Sequence, residues 1–424
     1  MIVDLTVSNF RSIKDEQTFS LFAEGSRKHL SSNVSFPGDG KVGVLRSAGI
    51  YGPNASGKSN LLVAFQALRY IVVGSGDLKD GDAIPCYEPY RLNTKCIGAP
   101  ISLEVEFFAY KNLRFVYRVL FNEKRIIEES LDYYPSRQKA NLFSRKDGDS
   151  WEDIYFGNHY KGGRKRYAFF DNNSYLAKAG NSADSPEMIR AIFNFFRKDV
   201  FFLYANHEVG MLDWKNDDDL VKSVGDILSK VDSGISGLVF EENDVSSLNL
   251  PKNVPENIKK KILESESKKP VFLHKTEDGG MEEFDEDSES SGTNKLFNIL
   301  PLLIDAFQSG GVLILDELDN SFHPHIAELI IKLFNSPDVN KRGAQLIFST
   351  HNINLMSPEL LRRDQIWLTE KNEGRTEFFS LDQFDSSMVK SNSPFYKWYG
   401  EGRFGAVPSI DFRAVSSILI ERLK

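Results

Sequence analysis

The sequence has little cysteine and no long apolar run, and each absence excludes a class of protein. Cys86 and Cys96 are the only cysteines among 424 residues. They are too few for a disulfide framework and wrongly spaced for a structural zinc site. No apolar stretch approaches the roughly 18 residues that span a bilayer, and Asp4 interrupts the opening residues where a secretion signal would stay apolar. These features predict a cytoplasmic protein without a membrane partner.

An excess of positive charge, usual in proteins that bind nucleic acid, is also missing. The chain carries 52 basic and 60 acidic residues and a net charge of −8. Two short basic stretches, Lys161 to Arg166 and Lys259 to Lys261, are typical of solvated loops, with a nucleic-acid contact as the alternative. The composition therefore does not indicate DNA binding but leaves it open.

One motif is complete: residues 52–59, GPNASGKS, match Gly-x-x-x-x-Gly-Lys-Ser. An apolar run suited to a buried strand precedes it at 44–50, and apolar residues with helical spacing follow at 60–68. In that position the loop's N–H groups and the helix N-terminus face a polyphosphate, Lys58 reaches the β and γ phosphates, and Ser59 binds Mg²⁺. The residues predicted to contact the nucleotide here are Asn54, Ala55, Ser56, Gly57, Lys58, Ser59 and Asn60. The sequence thus predicts a phosphate-binding loop for ATP with Mg²⁺.

A second part of the site is predicted in GGVLILDELDNSFHPH, residues 310–325. Residues 312–315 are apolar and suit a strand buried on both faces, as in a parallel sheet. Two carboxylates end the strand. We expect Asp316 to bind Mg²⁺ and Glu317 to polarise the water that attacks the γ phosphate. A buried strand with an acidic turn has no such meaning alone, so this interpretation depends on the phosphate loop.

Two shorter segments are predicted to complete the site. A further apolar strand at 344–348 leads to His351, which would lie at the carboxyl end of a strand, where ligands of open α/β sheets bind. Upstream, the run Glu-Ser-Ser-Gly-Thr at 289–293 precedes a helical stretch, and the free N–H groups of such a turn can bind phosphate. Taken alone, the histidine would be structural and the turn a helix cap.

The spacing of apolar residues divides the chain into three predicted segments. An N-terminal lobe, 1–180, contains the phosphate loop and, at 100–156, the alternating pattern of an antiparallel sheet, in which Lys111 and Asn112 form the turn of a hairpin. A mainly helical insertion follows at 181–269, and because it lacks sustained heptads any helical arm must be short. The C-terminal lobe, 270–424, contains the remaining motifs. The predicted fold class is α/β, a phosphate-loop ATPase head with a mainly parallel core sheet, an additional antiparallel sheet and a helical insertion.

An acidic stretch, residues 277–290, lies just ahead of the Ser-Ser-Gly-Thr turn. We interpret it as a solvated hairpin that turns at Gly279 and Gly280. Repulsion of nucleic acid or docking of a basic partner is the alternative.

The order of the motifs resembles the ATPase heads of the ATP-binding-cassette class, which includes SMC-type chromosome proteins and the overcoming-lysogenization-defect (OLD) ATPases. The segments that carry the resemblance are the phosphate loop, ESSGTNKLF, VLILDELDNSFHP and LIFSTHN. It implies that Ser291, Gly292 and Thr293 form the signature motif, that Asp319 lies in the loop beside the nucleotide, and that His351 is the switch histidine. It also implies a head-to-head homodimer, in which the signature turn of one subunit completes the phosphate site of the other.

A closer resemblance covers nearly the whole chain and is to the standalone ATPases of bacterial abortive-infection and anti-phage operons, of the AbiL/RloA and PARIS type. The segments are IVDLTVSNFRSIKDEQTFSL, YEPYRLN, ISLEVEFF, VDSGISGLVF, LRRDQIWLTEK and GEGRFGAVP. This resemblance implies two partners: a separately encoded effector, such as a Toprim-like nuclease, and a phage-derived trigger. It leaves open whether the protein assembles beyond a dimer. One departure from cassette ATPases is that YEPYRLN contains no Mg²⁺-sensing glutamine.

The sequence offers no second chemistry. The stretch after His351 is too short for the Toprim nuclease domain of OLD relatives, and no Ser/His/Asp or Cys/His arrangement has an interpretable spacing. We therefore predict ATP hydrolysis with a conformational output, in a sensor or regulatory subunit. The main alternative is a DNA-repair or chromosome-maintenance ATPase, whose DNA binding would depend steeply on salt. A third is a scaffold in which hydrolysis is incidental.

Overall fold

The computed structural model describes residues 1–24, 29–203, 214–231, 234–243, 267–408 and 411–423, together with 256, 259, 260 and 263. Among these the strands are β1 (Ile2–Ser8), β2 (Gln17–Ser20), β3 (Val34–Ser35), β4 (Val44–Leu45), β5 (Ser47–Tyr51), β6 (Ile101–Ala109), β7 (Leu113–Phe121), β8 (Ile126–Tyr133), β9 (Ala140–Arg145), β10 (Tyr155–Phe156), β11 (Val200–Leu203), β12 (Ile235–Glu242), β13 (Lys268–Lys275), β14 (Met281–Asp285), β15 (Val312–Leu315), β16 (Gln345–Ser349), β17 (Ile366–Asn372) and β18 (Arg375–Ser380). The α-helices are α1 (Lys58–Arg69), α2 (Tyr175–Gly180), α3 (Glu187–Lys198), α4 (Asp218–Val231), α5 (Ser291–Ser309), α6 (Pro324–Asn335), α7 (Phe395–Gly400) and α8 (Phe412–Arg422).

A six-stranded sheet lies at the centre of the fold, in the order β11-β15-β16-β5-β17-β18. The first five strands are parallel, and β18 pairs antiparallel with β17. Alternate residues of β15 face two different cores: Val312 and Ile314 pack into one hydrophobic cluster and Leu313 and Leu315 into the other. A strand buried on both faces has no polar side, which is why its sequence is continuously apolar. The predicted mainly parallel core sheet is confirmed.

The additional antiparallel sheet is also confirmed. Its seven strands follow the order β10-β9-β8-β7-β6-β1-β2, and β6 and β7 form the predicted hairpin. Their turn places Lys111 and Asn112 in the left-handed region, at φ 58° and 54°. Phe107 of β6 stacks on Phe195 of α3 with ring centroids 5.5 Å apart. This sheet, α1, α2 and α3 thus share one hydrophobic core.

A smaller sheet, β12-β13-β14, contains the acidic stretch. Strands β13 and β14 pair antiparallel on either side of Gly279 and Gly280, as predicted for a hairpin. Phe272 of β13 packs against Phe297 of α5 with ring centroids 5.3 Å apart. The hairpin is therefore anchored to the helix that carries the Ser-Ser-Gly-Thr turn.

The segment predicted as a mainly helical insertion, 181–269, contributes strands as well as helices. Beside α3 and α4 it supplies β11, which pairs parallel with β15 in the central sheet, and β12. Strand β11 follows α3 directly and is apolar throughout, so no change of period separates it from the helix in the sequence. Most of the lysine-rich part of this segment, including Lys261, lies outside the described residues.

In the part of the chain that the structure describes, no helix has the length and apolar character needed to cross a membrane.

Candidate functional site

Three segments predicted from separate parts of the sequence lie side by side. Strands β15, β16 and β5 are neighbours in the central sheet and run parallel. Their carboxyl ends therefore bring the acidic turn, the histidine segment and the phosphate loop to one edge of the sheet. This is where ligands of open α/β sheets bind.

The phosphate loop connects β5 to α1, as predicted. Ala55 and Gly57 have φ 61° and 113°, which bends the chain sharply before the helix begins at Lys58. Asn54, Ala55 and Ser59 are exposed, so the loop tip and the first turn of the helix face solvent. The exposed N–H groups and the helix N-terminus are suited to an anion.

Lys58 is buried and bonds to its own loop. Its Nζ donates to the carbonyl oxygens of Gly52 and Pro53, at 2.9 and 3.1 Å. Burial lowers the pKa of Lys58, and the carboxylates of Asp316 and Glu317 oppose that shift. The lysine is therefore already close to the acidic turn while its charge rests on carbonyl oxygens that a phosphate can replace.

Two loop residues have contacts that the motif does not reveal. Ser56 is buried; its hydroxyl bonds to Thr369 Oγ1 at 2.6 Å and its N–H donates to Pro53 O at 3.2 Å. The Asn60 amide donates to Ser12 Oγ at 2.6 Å. The Ser56 side chain thus faces the protein interior, and the predicted nucleotide contact of this residue would be made by its backbone.

The acidic turn is held by Ser349. Its hydroxyl donates to Asp316 Oδ1 at 2.5 Å and accepts from the Glu317 N–H at 2.8 Å. Glu317 has φ 52°, in the left-handed region that is unfavourable for residues other than glycine. Strain of this kind persists only where surrounding contacts impose it, and it is concentrated at functional sites. The carboxylates predicted to bind Mg²⁺ and to act as base thus have fixed backbone positions.

Asp319 connects the acidic turn to the histidine segment. Its Oδ1 accepts hydrogen bonds from Thr350 Oγ1 and from the His351 N–H, the latter at 3.1 Å. His351 is exposed at the sheet edge. Within one subunit Asp319 therefore orients the backbone of His351.

The Ser-Ser-Gly-Thr turn begins α5. Ser290 accepts from the Thr293 N–H at 3.1 Å and caps the helix, and Ser291 is exposed. A Cβ atom on Gly292 would lie 2.6 Å from the carbonyl oxygen of Ser321. The glycine is thus required because the turn packs against residues 316–321, the acidic loop that follows β15 in the same chain.

Lys295 is a site residue that sequence reasoning missed. Its Nζ donates to the carbonyl oxygens of Glu317 and Asn320, at 2.7 and 2.8 Å. Burial lowers the pKa of Lys295, and Asp319 and the two preceding acids oppose that shift. The available signal was its position about one helical turn after Gly292, but nothing in the sequence indicates that this face of α5 meets the loop that contains Glu317 and Asn320.

A cavity of about 580 Å³ lies beside Asn60, at the start of α1. Tyr87 and Tyr90 line it, as does an ion pair between Arg11 and Glu88 at 2.9 Å. Its apolar lining includes Leu92 and Ile97, and Lys371 and Gly374 also line it. The YEPYRLN segment, which the family resemblance singled out without a role, therefore forms one wall of a cavity next to the phosphate loop.

The donor set fits Mg²⁺. Ser59 supplies an exposed hydroxyl and Asp316 a carboxylate. Magnesium prefers oxygen ligands and is usually held by one or two protein groups, with water and phosphate oxygens in the other positions.

Comparison with known proteins places the chain in a family. A family described as "AAA domain, putative AbiEii toxin, Type IV TA system" matches residues 47–357. No curated protein sequence matches the chain significantly. Among solved structures, the SMC head domain from Thermotoga maritima has 14% identity and a TM-score of 0.39, covering 89% of this chain and 98% of that chain. RecF bound to ATPrS, described as a recombination mediator protein, has 14% identity, a TM-score of 0.37 and the same coverage.

Those structural similarities are weak, so the assignment rests on the sequence match. That match covers well over half of the chain and includes the phosphate loop, the acidic turn and His351. The chain therefore belongs to the AAA-domain family described in those words.

Proposed function

We propose that this protein is a Mg²⁺-dependent ATPase that works as a homodimer and serves as the sensor or regulatory subunit of an anti-phage, abortive-infection system. One observation carries the ATPase proposal. A phosphate loop with an exposed tip and a buried Lys58 lies beside two carboxylates, Asp316 and Glu317, that Ser349 holds in place.

Each residue has a role in the proposed reaction. Lys58 exchanges its carbonyl partners for the β and γ phosphates, and Ser59 and Asp316 hold Mg²⁺, which neutralises phosphate charge. Glu317 accepts the proton of the attacking water. His351 of the same subunit lies at this edge of the sheet and contacts the γ phosphate. The signature turn of a second subunit, Ser291 to Thr293, approaches the γ phosphate from the opposite side.

The cavity beside Asn60 is the proposed site of the nucleoside. It lies next to the first turn of α1, and the half-buried Tyr87 offers an aromatic ring on which a base can stack. The Arg11–Glu88 pair supplies donors and acceptors at the same wall. Pockets of this kind, mostly apolar with a few polar groups, are typical of cofactor sites.

The proposed regulatory role rests on the family description and on the sequence resemblance. The family description names a toxin of a toxin–antitoxin system, which is consistent with abortive infection, and the resemblance to AbiL/RloA and PARIS ATPases implies a separately encoded effector and a phage-derived trigger. Loss and gain of γ phosphate would open and close the dimer and so release or hold the effector.

The first experiment measures phosphate release and nucleotide binding by three proteins. Wild type should hydrolyse ATP only with Mg²⁺, Lys58→Ala should bind no nucleotide, and Glu317→Gln should bind ATP but turn over about 10²–10⁴-fold more slowly. Hydrolysis by Glu317→Gln at the wild-type rate would show that Glu317 is not the base.

The second experiment tests the partner. Tagged Glu317→Gln protein is recovered from its native host with ATP and Mg²⁺, and the eluate is examined for protein and nucleic acid. A stoichiometric protein encoded in the same operon supports the sensor proposal. Recovery of DNA without a protein partner would contradict it and favour a chromosome-maintenance ATPase.

A further inference from the structure

We propose that Thr376 and Ser12 are positioning residues that fix the shape of the phosphate loop through a chain of hydrogen bonds. This inference rests on the proposed ATPase function. Both residues lie outside the part of the chain that matches the family, residues 47–357. Thr376 belongs to β18, and Ser12 follows β1.

The chain of hydrogen bonds has one direction. Thr376 Oγ1 must donate to the Ser56 carbonyl, at 2.7 Å, because a carbonyl only accepts. Since that uses the only proton of the hydroxyl, Ser12 Oγ must donate to Thr376 Oγ1, at 2.7 Å. Ser12 in turn accepts from the amide of Asn60 at 2.6 Å. The bonds therefore run in order from Asn60 through Ser12 and Thr376 to the phosphate loop.

A second, shorter chain holds the hydroxyl of the same loop residue. Thr369 Oγ1 donates to the Tyr51 carbonyl at 3.2 Å, so the Ser56 hydroxyl must donate to Thr369, at 2.6 Å. Ser56, Thr369 and Thr376 are all at most 1% exposed. Water therefore cannot replace these bonds, and Ser56 is fixed at its carbonyl and at its hydroxyl by the β17–β18 hairpin.

The hairpin also packs closely against two glycines of the loop. A Cβ atom on Gly57 would collide with the Thr376 side chain, and one on Gly52 would collide with Thr369. Ala55 and Gly57 both have positive φ, a conformation that surrounding contacts must maintain. Without the Thr376 hydroxyl, the buried Ser56 carbonyl lacks its partner and the loop populates other shapes.

The other end of the chain reaches the cavity. Asn60 Oδ1 accepts from Arg11 Nη1 at 3.4 Å, which fixes the orientation of the amide, and Arg11 pairs with Glu88. Arg11, Ser12 and Asn60 line the cavity proposed for the nucleoside. The wall of the cavity proposed for the nucleoside and the phosphate loop thus belong to one hydrogen-bond network.

The test uses Thr376→Val, which keeps the shape of the side chain and removes the hydroxyl. Because the population of competent loop falls, the Kd values for ATP and ADP and the KM for ATP should rise together, by about tenfold. The kcat at saturation should stay within about twofold of wild type. Thr376→Ser, which restores the hydroxyl, should recover most of the affinity.

Ser12→Ala and a control complete the set. Ser12→Ala should weaken binding less than Thr376→Val, and the double variant should bind no more weakly than Thr376→Val alone, since the chain passes through Thr376. Ser380→Ala, a buried hydroxyl further along β18, should leave KM unchanged.

Two outcomes would overturn the proposal while the ATPase function stands: wild-type KM in folded Thr376→Val, or a lower kcat with unchanged KM. If Thr376→Val does not fold, the comparison of Ser12→Ala with wild type decides by the same criteria. Absence of ATP binding by the wild-type protein would instead contradict the proposed function itself.

Discussion

At the scale of single residues, Ser349 determines how two carboxylates are presented. One hydroxyl donates to Asp316 and accepts from the backbone of Glu317, whose φ is positive. The serine ends β16, so the neighbouring strand, not the acidic turn itself, sets the geometry of the turn.

We expect Ser349→Ala to lower kcat about 10–100-fold, as is usual when the partner of a metal-binding carboxylate is removed. Affinity for ADP without Mg²⁺ should stay near wild type, because the phosphate loop is unchanged. Steady-state phosphate release and nucleotide titration measure the two quantities. Ser47→Ala is the matched control, a buried serine at the opposite end of the same sheet that bonds to Asn335; a kcat at the wild-type level in Ser349→Ala would show that the serine does not position the acids.

How far single residues can be predicted depends on how far apart their partners are in sequence. The phosphate loop is contiguous, so its eight residues indicate the site directly. Ser349 lies 32 positions from Glu317, and Thr376 lies 320 from Ser56. Such partners are brought together by sheet order, which apolar spacing alone does not fix. Serine and threonine also occur throughout loops and strands, so neither residue type marked these positions.

At the scale of secondary-structure elements, α5 meets the acidic loop through Lys295. The amine bonds to two carbonyls of the loop, and its position 4.9 Å from the centroid of the Phe322 ring adds a cation–π contact. The helix that begins with the Ser-Ser-Gly-Thr turn is therefore hydrogen-bonded to the loop that carries the proposed base.

We expect Lys295→Met to lower kcat by about tenfold with little change in ATP affinity, because the loop carbonyls lose their charged donor. Methionine keeps an apolar stem over Phe322, so the thermal midpoint should change little. Lys295→Arg, which keeps the charge, serves as the control. A Lys295→Met variant with wild-type kcat would show that this contact only packs the helix.

A second junction of elements depends on a buried ion pair. Glu129 of β8 accepts from the N–H groups of Tyr175 and Leu176 at the start of α2, and lies 3.7 Å from Arg145. Burial raises the pKa of Glu129, and Arg145 opposes that shift. One carboxylate thus joins α2 to the antiparallel sheet.

Glu129→Ala should destabilise the protein by about 3–5 kcal/mol, because it leaves Arg145 buried without its charged partner. Urea unfolding followed by circular dichroism measures the change. Glu128→Ala, at the exposed neighbour on the same strand, should change stability by less than about 0.5 kcal/mol. Equal stability of the two variants would contradict this account of the junction.

Elements whose apolar residues recur with a clear period could be predicted from the sequence, and elements without such a period could not. The β6–β7 hairpin alternates between buried and half-exposed positions and was predicted with its turn. Strand β11 has no alternation, because its two faces pack against the two hydrophobic cores, and only Asp199 separates it from α3. The prediction therefore placed β11 within the mainly helical insertion, 181–269.

At the scale of the whole molecule, the proposed dimer requires that each site draw on two subunits. Ser291 lies exposed at the first position of α5, and its turn contacts loop 317–321 of its own chain. A glutamate at this position suits a helix N-terminus, so Ser291→Glu should fold while its charge repels the γ phosphate bound by the other subunit. Lys58→Ala, by contrast, disables the phosphate loop and leaves its signature turn intact. Alone, Lys58→Ala should bind no nucleotide, Ser291→Glu should bind ATP, and neither should turn over ATP.

Mixing these two inactive variants should restore activity. In a mixed dimer one site combines the intact phosphate loop of Ser291→Glu with the intact turn of Lys58→Ala, and the other site has both defects. In an equimolar mixture, random exchange of subunits makes half of the dimers mixed. Each mixed dimer has one working site out of two, so the mixture should reach about a quarter of the wild-type rate. Phosphate release by the mixture and by each variant alone measures this, with Ser291→Ala as the control that stays active. If Ser291→Glu alone hydrolyses ATP, or if mixing gives no gain while both variants are folded and exchange subunits, each chain contains its whole site and the composite arrangement is wrong.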